Sequence, residues 1–508
     1  MKILTPTQVK TCDDNAIKIL GIESIELMEE AAKACVSYIK NKLKKPAKTL
    51  IFCGKGNNGG DGLAIARLLT DVGYLVETYV LDYDGEPSRD FMINSKAFKG
   101  NLIYLKHGEP IQLSIAENDM IIDAILGNGL NRPISDCIHT VVSYLNKQNC
   151  LRLAIDIPTG MYANAASSND QLCFKADVSL SFERPKLNFM MKEQSEFVGR
   201  FELLEIGWPQ DIDKEMPSDY HFTTKADIAH IYKKRAKFSS KHDFGHALIV
   251  GGSYGKVGAA VLATKACIRS GAGLTSVYAP ICANLIIQMQ APEAMFIEDP
   301  NTAHLSLVPA RLDYKAIGIG PGIGTENETG IMVKEIITQS TCSLVIDADA
   351  INLLASDKDS FASLKPNTIL TPHAIEFERM TQKVESDAER IELGRAFATK
   401  YSVILLLKGA HTAVILPDGN VFFNSTGNPA LAKGGSGDVL TGIITGLLSS
   451  GYSAEEAAKL GVYVHGLAAD VCTQQYGMET ITASDIIEAL KEAFFMIANQ
   501  VEAYIIPS

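Results

Sequence analysis

Two glycine-rich loops in this chain end on an aspartate. One is Gly54-Lys55-Gly56-Asn57-Asn58-Gly59-Gly60-Asp61-Gly62; the other, GNPALAKGGSGDVLTG, runs from Gly427 to Gly442. Closely spaced glycines let backbone N–H groups approach an anion, and a following helix adds the positive end of its dipole. Gly434, Gly435 and Gly437 form such a nest, although the Walker A order is absent. Asp438 starts the same helix, where the dipole favours its ionised form. It repels a phosphate, so its expected task is different. It faces an incoming hydroxyl and takes the proton while the nest stabilises the transferred group. The plainer alternative makes Asp438 a helix cap.

The first loop contains a literal GxGxxG, Gly54 to Gly59, but Asn57, Asn58 and Asp61 are foreign to a simple dinucleotide fingerprint. Its plainer alternative is a capped turn. Two further strand ends carry polar residues, Asp123 to Gly129 and Asp156 to Gly160. Asn58, Asp123 and Thr159 offer one amide, one carboxylate and one hydroxyl. A low-charge oxygen cage of that kind suits a large monovalent cation better than Mg²⁺. Asp156 is left for acid–base chemistry. In the second half, Gly251-Gly252-Ser253, the glycines of Gly318 to Gly324, Thr371-Pro372-His373 and Lys408-Gly409-Ala410-His411-Thr412 also follow apolar runs. Lys408 suits a nucleotide phosphate; His373 has the weaker individual claim.

The elements that must position these residues alternate. In the first half the helical spacing of IESIELMEEAAKACVSYIKNKL and GGDGLAIARLLTDVG separates the short apolar runs AKTLIFCG, YLVETYVLD, DMIIDAILG, LRLAIDIPTG and ADVSLSF. That pattern predicts a parallel sheet covered on both faces. It ends near the polar FELLEIGWPQDIDKEMPSD, and the boundary falls around Pro217, giving domains 1–216 and 217–508. HALIVGGS starts a second series, with YKAIGIGPG, SLVIDADA, NTILTPH and YSVILLLKG as further strands. HTAVILPDGNVFFNS predicts a hairpin. Helices follow, and Thr482 or Ser484 caps the last. The fold class is α/β twice over, and strand carboxyl ends are where such sheets gather function.

The bulk properties fit a soluble globular protein of two domains. The chain has 508 residues, 46% hydrophobic and 21% charged, more than one core normally serves. A net charge of −12 argues against a nucleic-acid partner. The first residues, broken by Pro6 and acidic at Asp13, do not make a signal peptide, and no apolar run suits a membrane span. Ten cysteines without CxxC spacing are expected to be small buried hydrophobes in a cytoplasmic protein.

GGSGDVLTG resembles the ribokinase-like superfamily. With KHDFGHALIVGGS, KACIRSGAGLTSVYAP, GIGPGIG, VIDADAINLL, TPHAIEFERM and LLLKGAHT, the second half resembles the ADP-dependent NAD(P)H-hydrate dehydratases. GKGNNGGDGLAIARLL, DAILGNGLNRP and AIDIPTG resemble the NAD(P)H-hydrate epimerases. The order is similar to that of the bifunctional NAD(P)H-hydrate repair enzymes of bacteria, over nearly the whole chain. The resemblance implies a Rossmann-like three-layer αβα domain followed by a larger ribokinase-like one. It implies the C6 hydrates NADHX and NADPHX as substrates, R and S forms being interconverted in the first domain. The S form is dehydrated in the second while ADP becomes AMP and phosphate.

The same resemblance implies the site residues. Hydrate binding in the first domain falls on Asn57, Asn58, Gly59, Gly60 and Asp61, on Gly127, Asn128, Gly129, Leu130, Asn131, Arg132 and Pro133, and on Asp156. Potassium falls on Asn58, Asp123 and Thr159. In the second domain the hydrate falls on Ala259, Gly322, His373 and Asp438. ADP, with Mg²⁺, falls on Lys408, Gly409, Ala410, His411, Thr412 and Gly437. Asp438 and Asp156 are the expected catalytic groups, and a homo-oligomer is expected. Two positions depart from the family pattern: Thr159 replaces a serine and keeps the hydroxyl, and Lys241-His242 replaces Lys-Gly. The competing reading is a ribokinase-like small-molecule kinase with a non-catalytic N-terminal ligand-binding domain.

Overall fold

The computed structural model describes residues 1–83, 85–106, 108, 110–164 and 172–505. Two compact units divide the chain: Lys2–Ser218, and Asp219–Ser508 together with Met1.

The first unit carries seven strands, β1 (Thr49–Cys53), β2 (Val76–Asp82), β3 (Leu102–Lys106), β4 (Met120–Ala124), β5 (Leu151–Ile155), β6 (Val178–Phe182) and β7 (Arg200–Leu204). Its helices are α1 (Pro6–Leu20), α2 (Ser24–Lys42), α3 (Asn57–Asp71), α4 (Arg89–Ala97), α5 (Asp136–Leu145) and the short α6 (Ser195–Val198). The strands lie in the order β3-β2-β1-β4-β5-β6-β7, all parallel. The order reverses between β1 and β4, the switch point of a Rossmann-like sheet, where ligands bind. Alternate residues of β1 serve two cores. Ile51 and Cys53 pack with α2 and α3, while Leu50 and Phe52 pack with α5.

In the second unit the strands are β8 (Tyr220–Thr223), β9 (His246–Val250), β10 (Leu274–Pro280), β11 (Met295–Asp299), β12 (Ala316–Ile319), β13 (Ser343–Ile346), β14 (Ile369–Leu370), β15 (Ile404–Leu407), β16 (Ala413–Ile415) and β17 (Val421–Asn424). The helices are α7 (Lys225–Ile231), α8 (Val257–Arg269), α9 (Asn284–Gln290), α10 (Asn327–Gln339), α11 (Ala348–Ala355), α12 (Ala374–Met380), α13 (Asp387–Tyr401), α14 (Ser436–Ser449), α15 (Ala454–Thr473) and α16 (Ala483–Ile505). The order is β11-β10-β9-β12-β13-β14-β15-β16-β17-β8, with only β16 antiparallel to its neighbours. β16 and β17 form the hairpin expected around PDGN. The order reverses between β9 and β12. α14 is apolar almost all round, and Gly442 and Gly446 let it pack closely on α8: a Cβ at Gly442 would lie 2.1 Å from Ala263 O. Thr482 caps α16, its hydroxyl and N–H both donating to Asp485.

The four unread strands share one cause, and one helix runs against the expectation for its segment. β3, β7, β8 and β11 are the four edge strands of the two sheets. An edge strand has a neighbour on one side only and keeps polar residues, so FELL in β7 reads as loop. The helix is α1. Pro6 does not break this segment; it stands at the first helical position, behind a Thr5 cap that closes a box with Gln8. Among the described residues no helix is long and apolar enough to cross a membrane. All ten cysteines are unbridged, seven of them buried.

Candidate active sites

In the first unit, β1 leads directly into α3. Gly59 allows that tight entry, since a Cβ there would lie 1.9 Å from Gly54 O. Gly62 lets α3 rest on the sheet, with a Cβ only 2.6 Å from Ala124 Cβ. The two loops at the switch point border a cleft of about 750 Å³. Asn57, Asn58 and Asp61 line it from α3, and Gly127, Asn128, Gly129, Leu130, Asn131 and Arg132 from the loop after β4. Asp156 lines it from the end of β5. Gly59, Gly60 and Pro133 lie outside the lining; Gly60 faces Met28 of α2.

Asp156 has a left-handed backbone, φ 65°. Its Oδ2 accepts the Asn128 N–H at 3.0 Å, and its Oδ1 pairs with Lys186 Nζ at 2.9 Å. Asp61 has no such partner. Enclosure pushes its carboxyl well above the carboxylate range, and Asp156, Asp13 and Asp90 add repulsion. Asp13, on α1, also lines the cleft; burial pushes it up to about 6, against a hydrogen bond from the Trp208 indole.

Deeper in the same end of the sheet, Asp123 is fully buried. It accepts the Thr159 hydroxyl at 2.7 Å and the N–H groups of Thr159 and Ile125 at 2.8 and 3.1 Å. Burial still pushes it up to about 6. The structure therefore brings Asp123 and Thr159 into contact. Asn58 is buried with neither its amide oxygen nor its nitrogen hydrogen-bonded among the described residues.

In the second unit, the loops after β9 and β12 meet at the switch point. Gly252 N–H donates to Pro321 O, and Ser253 Oγ to Gly322 O. Gly322, at φ 63°, lies against Ala259: a Cβ on it would stand 3.0 Å from Ala259 Cβ. α14 begins after Gly435 in a left-handed conformation, φ 89°. Lys408, after β15, reaches the same helix start, 3.3 Å from where a Gly437 Cβ would stand. The turn Gly409 to Thr412 is closed through the Thr412 hydroxyl. His411 is held to Asn424 O at 3.0 Å, and burial pulls its pKa down.

Asp438 projects from the first turn of α14. Burial pushes its carboxyl up to about 7, with repulsion from Asp347 and Asp349 and opposition from Lys408. No hydrogen bond contributes, so it is not a helix cap. The expectation that the dipole keeps Asp438 ionised needs correction: enclosure and two neighbouring carboxylates outweigh a partial charge at a helix end. His373 is the outlier. It caps α12, where Nδ1 accepts the Glu376 N–H, and its side chain is half exposed. Among the described residues no hydrogen bond or ion pair joins it to Asp438.

Lys186, Asp13, Asp347, Asp349 and Thr441 were absent from the sequence expectations. Asp347 ends a strand as the chosen residues do, so the strand-end signal extends to it. Lys186 sits in a loop without pattern, and only the folded chain brings it to Asp156.

Two α/β units of this topology, each gathering glycine loops and carboxylates beyond the carboxyl ends of its strands, define a two-domain α/β enzyme: a Rossmann-like unit followed by a ribokinase-like one. The family described as NAD(P)H-hydrate dehydratase matches residues 247–492, and the YjeF-related protein N-terminus matches residues 24–188. A bifunctional NAD(P)H-hydrate repair enzyme of Moorella thermoacetica is 32% identical over 99% of both chains. One from Dictyoglomus turgidum is 30% identical over 96% of this chain and 98% of its own. Among solved structures, an ADP/ATP-dependent NAD(P)H-hydrate dehydratase of Bacillus subtilis, co-crystallised with ATP and Mg²⁺, is 30% identical. It covers 55% of this chain and 98% of its own, with a TM-score of 0.49. The chain belongs to the bifunctional NAD(P)H-hydrate repair enzymes, which join an epimerase to an ADP-dependent dehydratase.

Proposed function

We propose that Asp438 is the base of the dehydratase and that Asp156 serves the epimerase, on the R and S hydrates of NADH and NADPH. The observation that carries the first assignment is Asp438 itself. It is a carboxyl with no hydrogen bond, held at the start of α14 beside Lys408 and poised to about 7. A group of that affinity both accepts and releases protons at neutral pH.

Hydroxide is a poor leaving group. Asp438 takes the proton of the C6 hydroxyl as its oxygen attacks the β-phosphorus of ADP, and AMP departs. N–H groups from the Gly434–Gly437 nest and the Lys408 ammonium stabilise the charge on the phosphoryl oxygens. The C6–O bond then breaks, pushed by the ring nitrogen of the tetrahydropyridine, and loss of a C5 proton restores the double bond of the dihydropyridine. Inorganic phosphate carries the oxygen away.

In the first unit, Asp156 and Asp61 face one cleft, and inversion at C6 needs a proton donor and an acceptor there. The orphaned amide of Asn58 and the buried carboxylate of Asp123, with the Thr159 hydroxyl, fit K⁺, which would offset the buried charge. Incubation with mixed R and S hydrate tests both assignments. With ADP, the wild type restores all the NADH absorbance; Asp156→Ala stops at the S share; Asp438→Asn restores none. Turnover at the wild-type rate by either variant removes that residue from its role.

A further inference from the structure

The segment Asp347-Ala348-Asp349 has no part in the chemistry above, yet it is built with strain. Ala348 adopts φ 49°, a left-handed conformation that costs a residue with a Cβ about 1 kcal/mol or more. The twist sends two carboxylates in different directions. Asp347 Oδ1 accepts Lys408 Nζ at 2.9 Å, and its Oδ2 accepts the Thr441 hydroxyl at 2.6 Å. Asp349 Oδ2 accepts the Gly324 N–H at 2.9 Å and lies 3.3 Å from Lys256 Nζ. Only 1% of Asp347 is exposed. Gly320 is part of the same arrangement, for a Cβ there would lie 1.8 Å from Asp347 O.

A buried carboxylate needs compensation. Here it comes from the lysine that reaches Gly437 and from the helix that carries Asp438, Thr441 lying three residues beyond that aspartate. We propose that Asp347 is a positioning residue of the dehydratase, tying the residue after β15 to the second turn of α14 so that Lys408 stands over Gly437 and Asp438 meets a fixed pattern of charge. Asp349 does the same for the Gly322–Gly324 loop on the hydrate side. The charged groups facing Asp438 are Asp347, at the cap of α11, Asp349 from its first turn and Lys408 just after β15. The first two repel its carboxylate and the third attracts it. Loss of the Asp347 charge removes repulsion and frees the attraction of Lys408, so Asp438 ionises at lower pH.

This inference rests on the reading of Asp438 as base and Lys408 as a contact of ADP, and the experiment separates the two. Full-length wild type, Asp347→Asn and Thr441→Val are assayed with S hydrate and ADP across pH. The epimerase rate of each normalises the amount of protein, and chemical denaturation of the second unit checks its folding. Asp438→Asn, assayed alongside, tests the underlying reading: loss of dehydration upholds it, and turnover at the wild-type rate overturns it. In Asp347→Asn the acid limb of kcat/KM moves to lower pH, and KM for ADP rises by about tenfold, the scale of one lost charge-assisted bond. Thr441→Val keeps both charges, so its KM for ADP rises while the acid limb stays in place. A merely structural Asp347 would lower the amount of active enzyme without moving the limb. An unmoved limb in Asp347→Asn, or an unchanged KM for ADP in both variants, overturns the inference.

Discussion

Lys186 Nζ stands 2.9 Å from Asp156 Oδ1, with 1% of the lysine side chain exposed. The ammonium has no hydrogen bond of its own among the described residues, so Asp156 supplies its main compensation. The dependence runs both ways. The left-handed backbone of Asp156 aims its carboxylate at Lys186 and at the Asn128 N–H, and the pair fixes the Asn128 loop on one side of the cleft.

Lys186→Met keeps the volume and removes the cation. Breaking one side of a buried pair costs about 3–5 kcal/mol, and the residual exposure of Asp156 sets the expectation at the lower end. The unfolding transition of the first unit should fall by that amount in chemical denaturation. Epimerisation should fall while dehydration of S hydrate is retained. A variant that epimerises normally would separate the lysine from the site.

Asp438→Asn should trade activity for stability. Dehydration falls by at least about 10²-fold, the scale of a lost acid–base group. With Asp438 as base, the wild-type rate should rise with pH through about 7, where burial and Asp347 place its carboxyl. Stability runs the other way. The folded pKa lies above the unfolded value, so the native state binds more protons between about 4 and 7 and loses stability as pH rises through that window. Asparagine pays no such cost. The variant should therefore melt above the wild type at pH 8, with the gap closing toward pH 5. A gap that widens on acidification would falsify the assigned environment.

The sequence revealed what burial on both faces imposes. β1, β4, β5, β9, β12, β13 and β15 are short apolar runs, and each ends on the loop that carries site residues. Strands at the rims escaped because one free side relaxes the demand for apolar residues. The glycines of both loops were legible because a close backbone approach has a compositional cost that only glycine meets. Charge pairing was not legible. Lys186 lies 30 residues from Asp156, and Lys408 lies 61 from Asp347. Asp438 shows the limit most plainly, for its position at a helix start suggests a carboxylate held low. The surroundings that raise it come from α11, far away in sequence.

Gly59 and Gly56 sit three residues apart in one loop and should respond in opposite ways to the same methyl group. A Cβ at Gly59 would meet the Gly54 carbonyl oxygen at 1.9 Å, and backbone cannot withdraw as a side chain can. At Gly56 nothing lies within 4 Å. Gly59→Ala should cost the first unit about 3 kcal/mol or more, the upper range for overpacking. Gly56→Ala should stay within about 1 kcal/mol, the size of glycine's entropic term. Thermal unfolding of the two variants measures the contrast, and equal losses would mean that the turn is not as tight as drawn.

The buried amide of Asn58 supports the last prediction. A buried polar group without a partner costs about 1–3 kcal/mol, and here both ends of one side chain are in that position. A carboxylate, Asp123, is buried at the same end of the sheet, accepting three hydrogen bonds. The potassium proposed above, taking the amide oxygen, the carboxylate and the Thr159 hydroxyl, would compensate both groups. Binding only to the folded state would raise stability by about 2.7 kcal/mol at a hundredfold excess over Kd. The first unit should thus melt higher in KCl than in choline chloride of equal ionic strength. Asn58→Ala removes both the orphaned amide and one ligand, so its melting should depend much less on the cation. A wild type that melts identically in the two salts would show that the pocket takes no potassium, whatever its donors.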